Sequence, residues 1–115
     1  MKSMTTEQLC ALVVDALEEL KAREIKVMDV RGKSSITDMM VVATGTSDRQ
    51  VKALADKVIE RVKQHDVQPL GVEGERSGEW IVVDLVDVVV HVMLPEVRAF
   101  YNLEKLWDTN APESS

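Results

Sequence analysis

The feature that most constrains the fold is a pair of apolar segments separated by only two residues. The segments are 80–84 and 87–93, both rich in valine, and Leu85-Val86 joins them. Residues with branched side chains favour strands. Two strands joined this closely pair antiparallel, because a parallel pair needs a crossover of a dozen or more residues. The sequence therefore predicts a β-hairpin in the second half of the chain.

Hydrophobic periodicity predicts three helices around this hairpin. Apolar residues recur at helical spacing in three segments, 5–23, 47–65 and 95–107. A capping-box pattern opens the first two, Thr5 with Gln8 and Ser47 with Gln50. Pro95 suits the first turn of the third.

Three further extended segments are predicted, 25–30, 39–44 and 70–73. The segment 39–44 has almost no polar residue, which is typical of a strand covered on both faces. The order of elements predicts an α/β (α+β) fold, a single mixed β-sheet of about five strands with packed helices.

The composition limits the partners that the protein can bind. The chain has 115 residues, which allows one domain, and its 14 Lys and Arg against 20 Asp and Glu give a net charge of −6. Phosphate binding favours a basic face, so this balance argues against sequence-specific nucleic-acid binding and against docking on anionic membranes. A basic protein is the better candidate partner.

The segments that would indicate export are absent from the sequence. No apolar stretch typical of a signal peptide opens the chain, and no run approaches the roughly 20 apolar residues of a membrane span. A single cysteine, Cys10, can form neither an internal disulfide nor a multi-cysteine zinc site, and packing in the core is its expected role. We expect a cytoplasmic protein.

The segment Gly45-Thr46-Ser47, between a predicted strand and a predicted helix, is a candidate anion site. Free backbone N–H groups at a helix N-terminus can hold an anion, although a capped helix start is the simpler interpretation. Nucleotidyl-transferring enzymes use a similar turn with two acids spaced i, i+2 on a nearby strand. Here Asp84 and Asp87 are three residues apart across a turn, so they need not converge on one magnesium ion, which argues against this catalysis. A nucleotide-binding or nucleotidyltransferase-type enzyme that uses the Gly45-Thr46-Ser47 turn is the alternative hypothesis.

Other candidate sites are weaker. Gly32-Lys33-Ser34 lacks the earlier glycine of a phosphate-binding loop and is predicted to be an ordinary turn. His91, without a nearby cysteine or second histidine, predicts no metal site. It is either a hydrogen-bonded sheet residue or part of a binding face. We expect no catalytic residue, metal or cofactor.

Acids interleaved with aromatic residues in the second half suit a protein interface, in which aromatic side chains supply buried area and acids steer the encounter. The candidate partner-binding residues are Trp80, Asp84, Asp87, His91, Tyr101, Glu104 and Trp107. The alternative is that Trp107 and Phe100 belong to the core.

A series of motifs resembles the bacterial ribosomal silencing factor family (RsfS, iojap-like). The motifs are K33-S-S-I-T-D38, A43-T-G-T-S-D-R-Q50, V72-E-G74, W80-I-V-V-D84, D87-V-V-V-H-V92 and R98-A-F-Y-N-L-E-K-L-W107. The similarity covers about 5–108, which we expect to be the domain, with an N-terminal extension at 1–4 and a flexible tail at 109–115.

The resemblance implies a nucleotidyltransferase-like fold without the catalytic acids. It also implies a function: binding of the large ribosomal subunit through its ribosomal protein fourteen, which sterically blocks joining of the small subunit and represses translation. The resemblance further implies that the protein can form a homodimer.

One position departs from the family, which usually has glycine where this chain has Val86. Valine is unfavourable at positive φ, so either the turn avoids that conformation or the hairpin is locally strained.

Overall fold

The structure is a computed structural model, which describes residues 4–32 and 37–101, with the side chain of Tyr101 left out. Helices and strands follow one another in the predicted order. They are α1 (Thr6–Glu19), β1 (Arg23–Asp29), β2 (Met39–Thr44), α2 (Asp48–Lys63), β3 (Gly71–Glu73), β4 (Trp80–Asp84), β5 (Val88–Met93) and α3 (Pro95–Tyr101).

The five strands form one mixed sheet in the order β1-β2-β5-β4-β3. Strands β2 and β5 are parallel, with α2 in the connection between them, and the other neighbouring strands are antiparallel. The predicted hairpin of β4 and β5 is confirmed, and so is the predicted mixed sheet. The apolar strand β2 lies between β1 and β5 and is buried along nearly its whole length, as its composition predicts.

Helices α1 and α2 pack side by side on one face of the sheet, which we call the two-helix face. Their apolar stripes meet the side chains of β2, β4 and β5 that point to that side, and Cys10 lies among them as predicted. Burial in this apolar core raises the pKa of the Cys10 thiol. Across the outer surface of the helix pair, Arg61 of α2 donates to Glu19 of α1 at 2.7 Å and also contacts Asp15.

The opposite side of the sheet, which we call the α3 face, has a smaller apolar cluster. Its buried members are Met28, Val30, Met40, Val42 and Met93, and Trp80 and Val97 pack against them. Because Val97 belongs to α3, this contact places the third helix on the side of the sheet away from α1 and α2.

Both long helices end in a left-handed residue other than glycine. Lys21 has a φ of 61°, its amide donates to the Glu18 carbonyl, and the Ala22 amide donates to the Leu17 carbonyl. This is the hydrogen-bond pattern of a Schellman motif. It ends α1 at Glu19, so the prediction of a helix reaching the neighbourhood of Arg23 is wrong. Asp66, with a φ of 64°, occupies the corresponding position after α2.

Some predictions fall on residues outside the described part of the chain. They concern the continuation of the third helix through Leu103, Leu106 and Trp107, the tail at 109–115, residues 1–3 and the turn residues Lys33 and Ser34. Within 4–32 and 37–101, no helix combines the length and the apolar character needed to cross a membrane.

Candidate functional site

The register of the β4–β5 hairpin brings three of the predicted partner-binding residues to one side of the sheet. Val82 pairs with His91, and side chains of directly paired residues point to the same face. Since side chains alternate along a strand, Trp80, Asp84 and His91 all lie on the α3 face. The hairpin thus arranges an aromatic, a carboxylate and an imidazole along one surface.

Trp80 and His91 form a direct pair within this surface. The Trp80 indole N–H donates to His91 Nδ1 at 3.0 Å, and the ring centroids are 5.9 Å apart. Because Nδ1 accepts this bond, the proton of the neutral ring is assigned to Nε2. Of the two interpretations that the sequence left open for His91, the structure shows the hydrogen-bonded sheet residue.

Burial sets the charge of His91. The side chain is 9% exposed, and desolvation lowers its pKa to about 4. The imidazole is therefore neutral at pH 7 and acts as a hydrogen-bond acceptor that orients Trp80. If His91 were protonated, its hydrogen bond with the Trp80 indole would be lost, because a protonated imidazole has no acceptor nitrogen.

The tip of the hairpin is a strained γ-turn centred on Val86. The Asp87 amide donates to the Leu85 carbonyl at 2.9 Å, and Val86 has a φ of 74°. A γ-turn with positive φ at its central residue is rare and strained. A β-branched residue in this region costs about 1–3 kcal/mol. Of the two alternatives stated for this position, local strain is the correct one.

The two acids of the hairpin contribute to the turn in different ways. The Asp84 carboxylate accepts the Val86 amide at 2.9 Å, so this half-buried side chain stabilises the turn. Asp87 contributes its backbone carbonyl, which accepts the amides of Asp38 and Met39 and ties the turn to the start of β2. Its side chain is exposed. In the described segments, no group of three or more His, Cys, Asp or Glu side chains could hold a metal ion.

The candidate anion site is occupied by hydrogen bonds of the protein itself. The Gly45 amide donates to the Met93 carbonyl, and the Thr46 amide donates to Gln50 Oε1 at 2.7 Å. The Ser47 hydroxyl accepts the Gln50 amide and caps α2. Two of the three backbone donors of Gly45-Thr46-Ser47 are thereby engaged, which favours the interpretation as a capped helix start.

At the start of α2, one of the two contacts of the predicted capping box is different. At α1 both reciprocal bonds between Thr5 and Gln8 are present. At α2 the Gln50 side chain bonds to Thr46, one residue before the cap, and its amide nitrogen donates to the Leu20 carbonyl at the end of α1. Gln50 therefore joins the two helices as well as closing the turn.

Close packing explains the glycine of this turn. A Cβ built on Gly45 would lie 2.9 Å from Val51 Cγ2 and 3.1 Å from the Val51 backbone nitrogen. These distances are too short for an unstrained contact. Gly45 thus allows β2 to pass directly against the first turn of α2.

Helix α3 includes a buried cation that the sequence pattern does not predict. Arg98 is 8% exposed, and its guanidinium donates to the Glu24 carbonyl at 2.6 Å and to Thr44 Oγ1 at 2.7 Å. These bonds hold α3 against the ends of β1 and β2. A lone arginine on a short helix gives no sequence signal of burial, since arginine is usually exposed.

The remaining predicted residues lie at or beyond the end of α3. Phe100 is 80% exposed, so the alternative that places it in the core is wrong. Tyr101 is the last residue of α3, and its side chain is outside the described part, as are Glu104 and Trp107. The structure therefore positions four of the seven partner-binding candidates, and all four belong to the β4–β5 hairpin.

Comparisons with known proteins point to one family. A family model described as "Ribosomal silencing factor during starvation" matches residues 3–115. The chain is 46% identical over 109 residues to a protein of Chromobacterium violaceum named ribosomal silencing factor RsfS, covering 95% of this chain and 89% of that protein. It is also 35% identical to a mouse protein named mitochondrial assembly of ribosomal large subunit protein 1, covering 84% of this chain and 43% of the mouse protein.

A solved structure supports the fold. A crystal structure of a protein from Chromobacterium violaceum superimposes with a TM-score of 0.90 at 45% sequence identity. The match covers 97% of this chain and 92% of that chain. The mixed sheet with its helices is thus found in an experimentally determined relative.

Proposed function

The chain belongs to the ribosomal silencing factor family, and from this we propose that it binds the large ribosomal subunit through ribosomal protein fourteen. Bound there, it blocks joining of the small subunit and so represses translation. The mechanism is steric occlusion. It requires a stable contact surface, and it requires no covalent step and no catalytic residue.

The observation that supports this proposal best is the grouping of polar and aromatic side chains on the β4–β5 hairpin. We define the hairpin docking surface as Trp80, Asp84 and Asp87, with the buried His91 supporting Trp80 from beneath and with Tyr101, Glu104 and Trp107 as its proposed continuation. The turn end of this surface is acidic, and its other end presents an indole. Such a combination suits a basic protein better than nucleic acid, since phosphates would be repelled by the carboxylates.

Each described residue has a separate task in this surface. The half-buried indole of Trp80 is fixed by its bond to His91, so little side-chain entropy remains to be lost on binding. Asp87 is exposed at the turn and is available to a lysine or arginine of the partner. Asp84 holds the turn that positions Asp87, through its bond to the Val86 amide.

The net charge of −6 also favours a basic protein as the partner. It steers the protein toward a basic ribosomal protein and disfavours contact with the surrounding RNA. We further propose that the protein functions in the cytoplasm, that residues 5–108 form the functional domain and that the protein can self-associate as a homodimer.

The experiment is retention of the protein by purified large subunits at moderate salt. We expect the wild-type protein to be retained and Asp87→Lys to bind about tenfold more weakly, a loss of about 1.4 kcal/mol. Asp56→Lys is the matched control: Asp56 is exposed on α2, on the opposite side of the sheet. Each substitution raises the net charge by two, from −6 to −4.

The control separates a local contact from overall charge. Equal weakening by both substitutions would mean that only the total charge matters and would remove Asp87 from the surface. Absence of retention by the wild-type protein would contradict the proposed function itself.

A further inference from the structure

Val86, at the tip of the β4–β5 hairpin, has a backbone conformation that its own side chain opposes. Its φ of 74° lies in the left-handed region, where a residue branched at Cβ is an outlier. Three hydrogen bonds hold the turn in this shape, from Asp87 to Leu85, from Leu85 to Val88 and from Val86 to Asp84 Oδ1. The conformation therefore belongs to the hairpin, and the valine side chain adds strain to it.

Burial of the valine side chain does not offset this strain. Val86 is 51% exposed, whereas the preceding Leu85 is 3% exposed and packs into the core of the two-helix face. Glycine would adopt the same backbone conformation without a Cβ. Residues kept in strained conformations concentrate at functional sites. We therefore look for the role of the Val86 side chain in a contact with another molecule.

Acidic residues lie close to the exposed Val86 along the backbone of the turn. Asp84 precedes it by two residues and Asp87 follows it directly. The Asp38 amide donates to the Asp87 carbonyl at 3.1 Å, which brings a third acidic residue beside the turn. An apolar group beside acidic residues complements a basic surface that contains an apolar recess. The acids guide the encounter with the basic partner, and the buried apolar contact stabilises the complex.

We propose that Val86 is a specificity-determining contact residue whose isopropyl group inserts into an apolar recess of the basic ribosomal protein on the large subunit. Because the partner is the one named above, this role rests on the proposed function. The hydrogen-bonded turn presents the side chain to the partner in a fixed orientation. A glycine at this position would keep the turn and its acids and would lose only the apolar contact.

Val86→Gly and Val86→Asn separate the side chain from the backbone. Both replacement residues tolerate positive φ, so both variants are expected to fold and to melt at or above the wild-type temperature. Their affinity for purified large subunits, measured by co-sedimentation at fixed salt, is expected to fall at least fivefold. Val27→Ala is the matched control, because Val27 is 42% exposed on the edge strand β1, away from the hairpin. It should bind like the wild type.

The possible outcomes lead to different conclusions. If the wild-type protein binds subunits and both Val86 variants bind equally well, Val86 is not a contact residue and the proposed function stands. If the wild-type protein does not bind, both proposals are overturned. If the variants lose self-association and keep their affinity for subunits, Val86 is a contact between copies of this chain, which also overturns its assignment to the ribosomal partner.

Discussion

The two faces of the sheet differ in what buries them. The two-helix face is closed by aliphatic side chains of α1 and α2, most of them inaccessible to solvent. The α3 face combines three buried methionines with the Trp80–His91 pair, and it ends at the acidic turn. Branched aliphatic side chains pack with defined rotamers, whereas methionine adapts to irregular gaps. We therefore propose that the first face supplies most of the stability and that the second face makes the partner contact.

The sharpest contrast lies in polar content. The apolar core of the two-helix face includes the Cys10 thiol, and burial there raises its pKa, which favours the neutral form. The α3 face places an imidazole, an indole N–H and the buried guanidinium of Arg98 near its apolar cluster. A surface that retains oriented polar groups is the more suitable one for recognition.

The largest expected effect tests the stabilising role of the two-helix face. Leu54 of α2 is fully buried there, and Leu54→Ala should lower the free energy of unfolding by about 2–5 kcal/mol because it leaves a cavity. Denaturant unfolding measures the loss. The folded fraction of the variant should bind large subunits like the wild type. Weakened binding by a fully folded variant would break the division between the two faces.

The next effect tests the buried imidazole on the α3 face. The pKa of His91 in the folded protein, about 4, lies below its ordinary value of 6.5. As the pH falls below 6.5, His91 of the unfolded chain takes up a proton before His91 of the folded protein does. The contribution of the neutral imidazole to the free energy of unfolding is therefore full above pH 6.5 and declines toward pH 4. The difference amounts to roughly 3 kcal/mol at most.

His91→Gln keeps an acceptor for Trp80 and removes the titrating group. Urea unfolding of both proteins from pH 7.5 to pH 4.5 should therefore show a smaller decline in the variant. If the free energy of unfolding declines equally in both proteins, His91 does not have the lowered pKa assigned to it.

The smallest effect concerns the turn that supports α2. Ser47→Ala removes the hydroxyl that accepts the Gln50 amide, and loss of an N-cap costs about 1 kcal/mol. Thermal unfolding measures this loss, and subunit binding should not change. A large loss of subunit binding with little loss of stability would instead indicate that Gly45-Thr46-Ser47 contacts the large subunit.

The parts of the fold that depend on local sequence were predictable. Strand β4 begins and ends where its run of apolar and branched residues predicts, and the capping box of Thr5 and Gln8 opens α1. The end of α1 was not predictable, because the left-handed residue is Lys21, and lysine does not mark a helix end in the way that glycine does.

The candidate site depended on contacts between distant parts of the chain. His91 and Trp80 were both selected from the sequence, but their bond requires the register of the hairpin. Gln50 reaches Leu20 across 30 residues, and Arg98 reaches Glu24 across 74. No local pattern indicates such pairs. Val86 was recognised as unusual for its turn, and its φ then decided between a relaxed and a strained hairpin.

Subunit joining with purified components tests the central claim most directly. Large and small subunits are mixed with and without the protein, and the joined ribosomes are separated by sedimentation. Occlusion predicts that joined ribosomes decrease as the protein is added, and that Asp87→Lys needs a higher concentration for the same decrease. An unchanged yield of joined ribosomes, at protein concentrations that saturate the large subunit, would contradict the account.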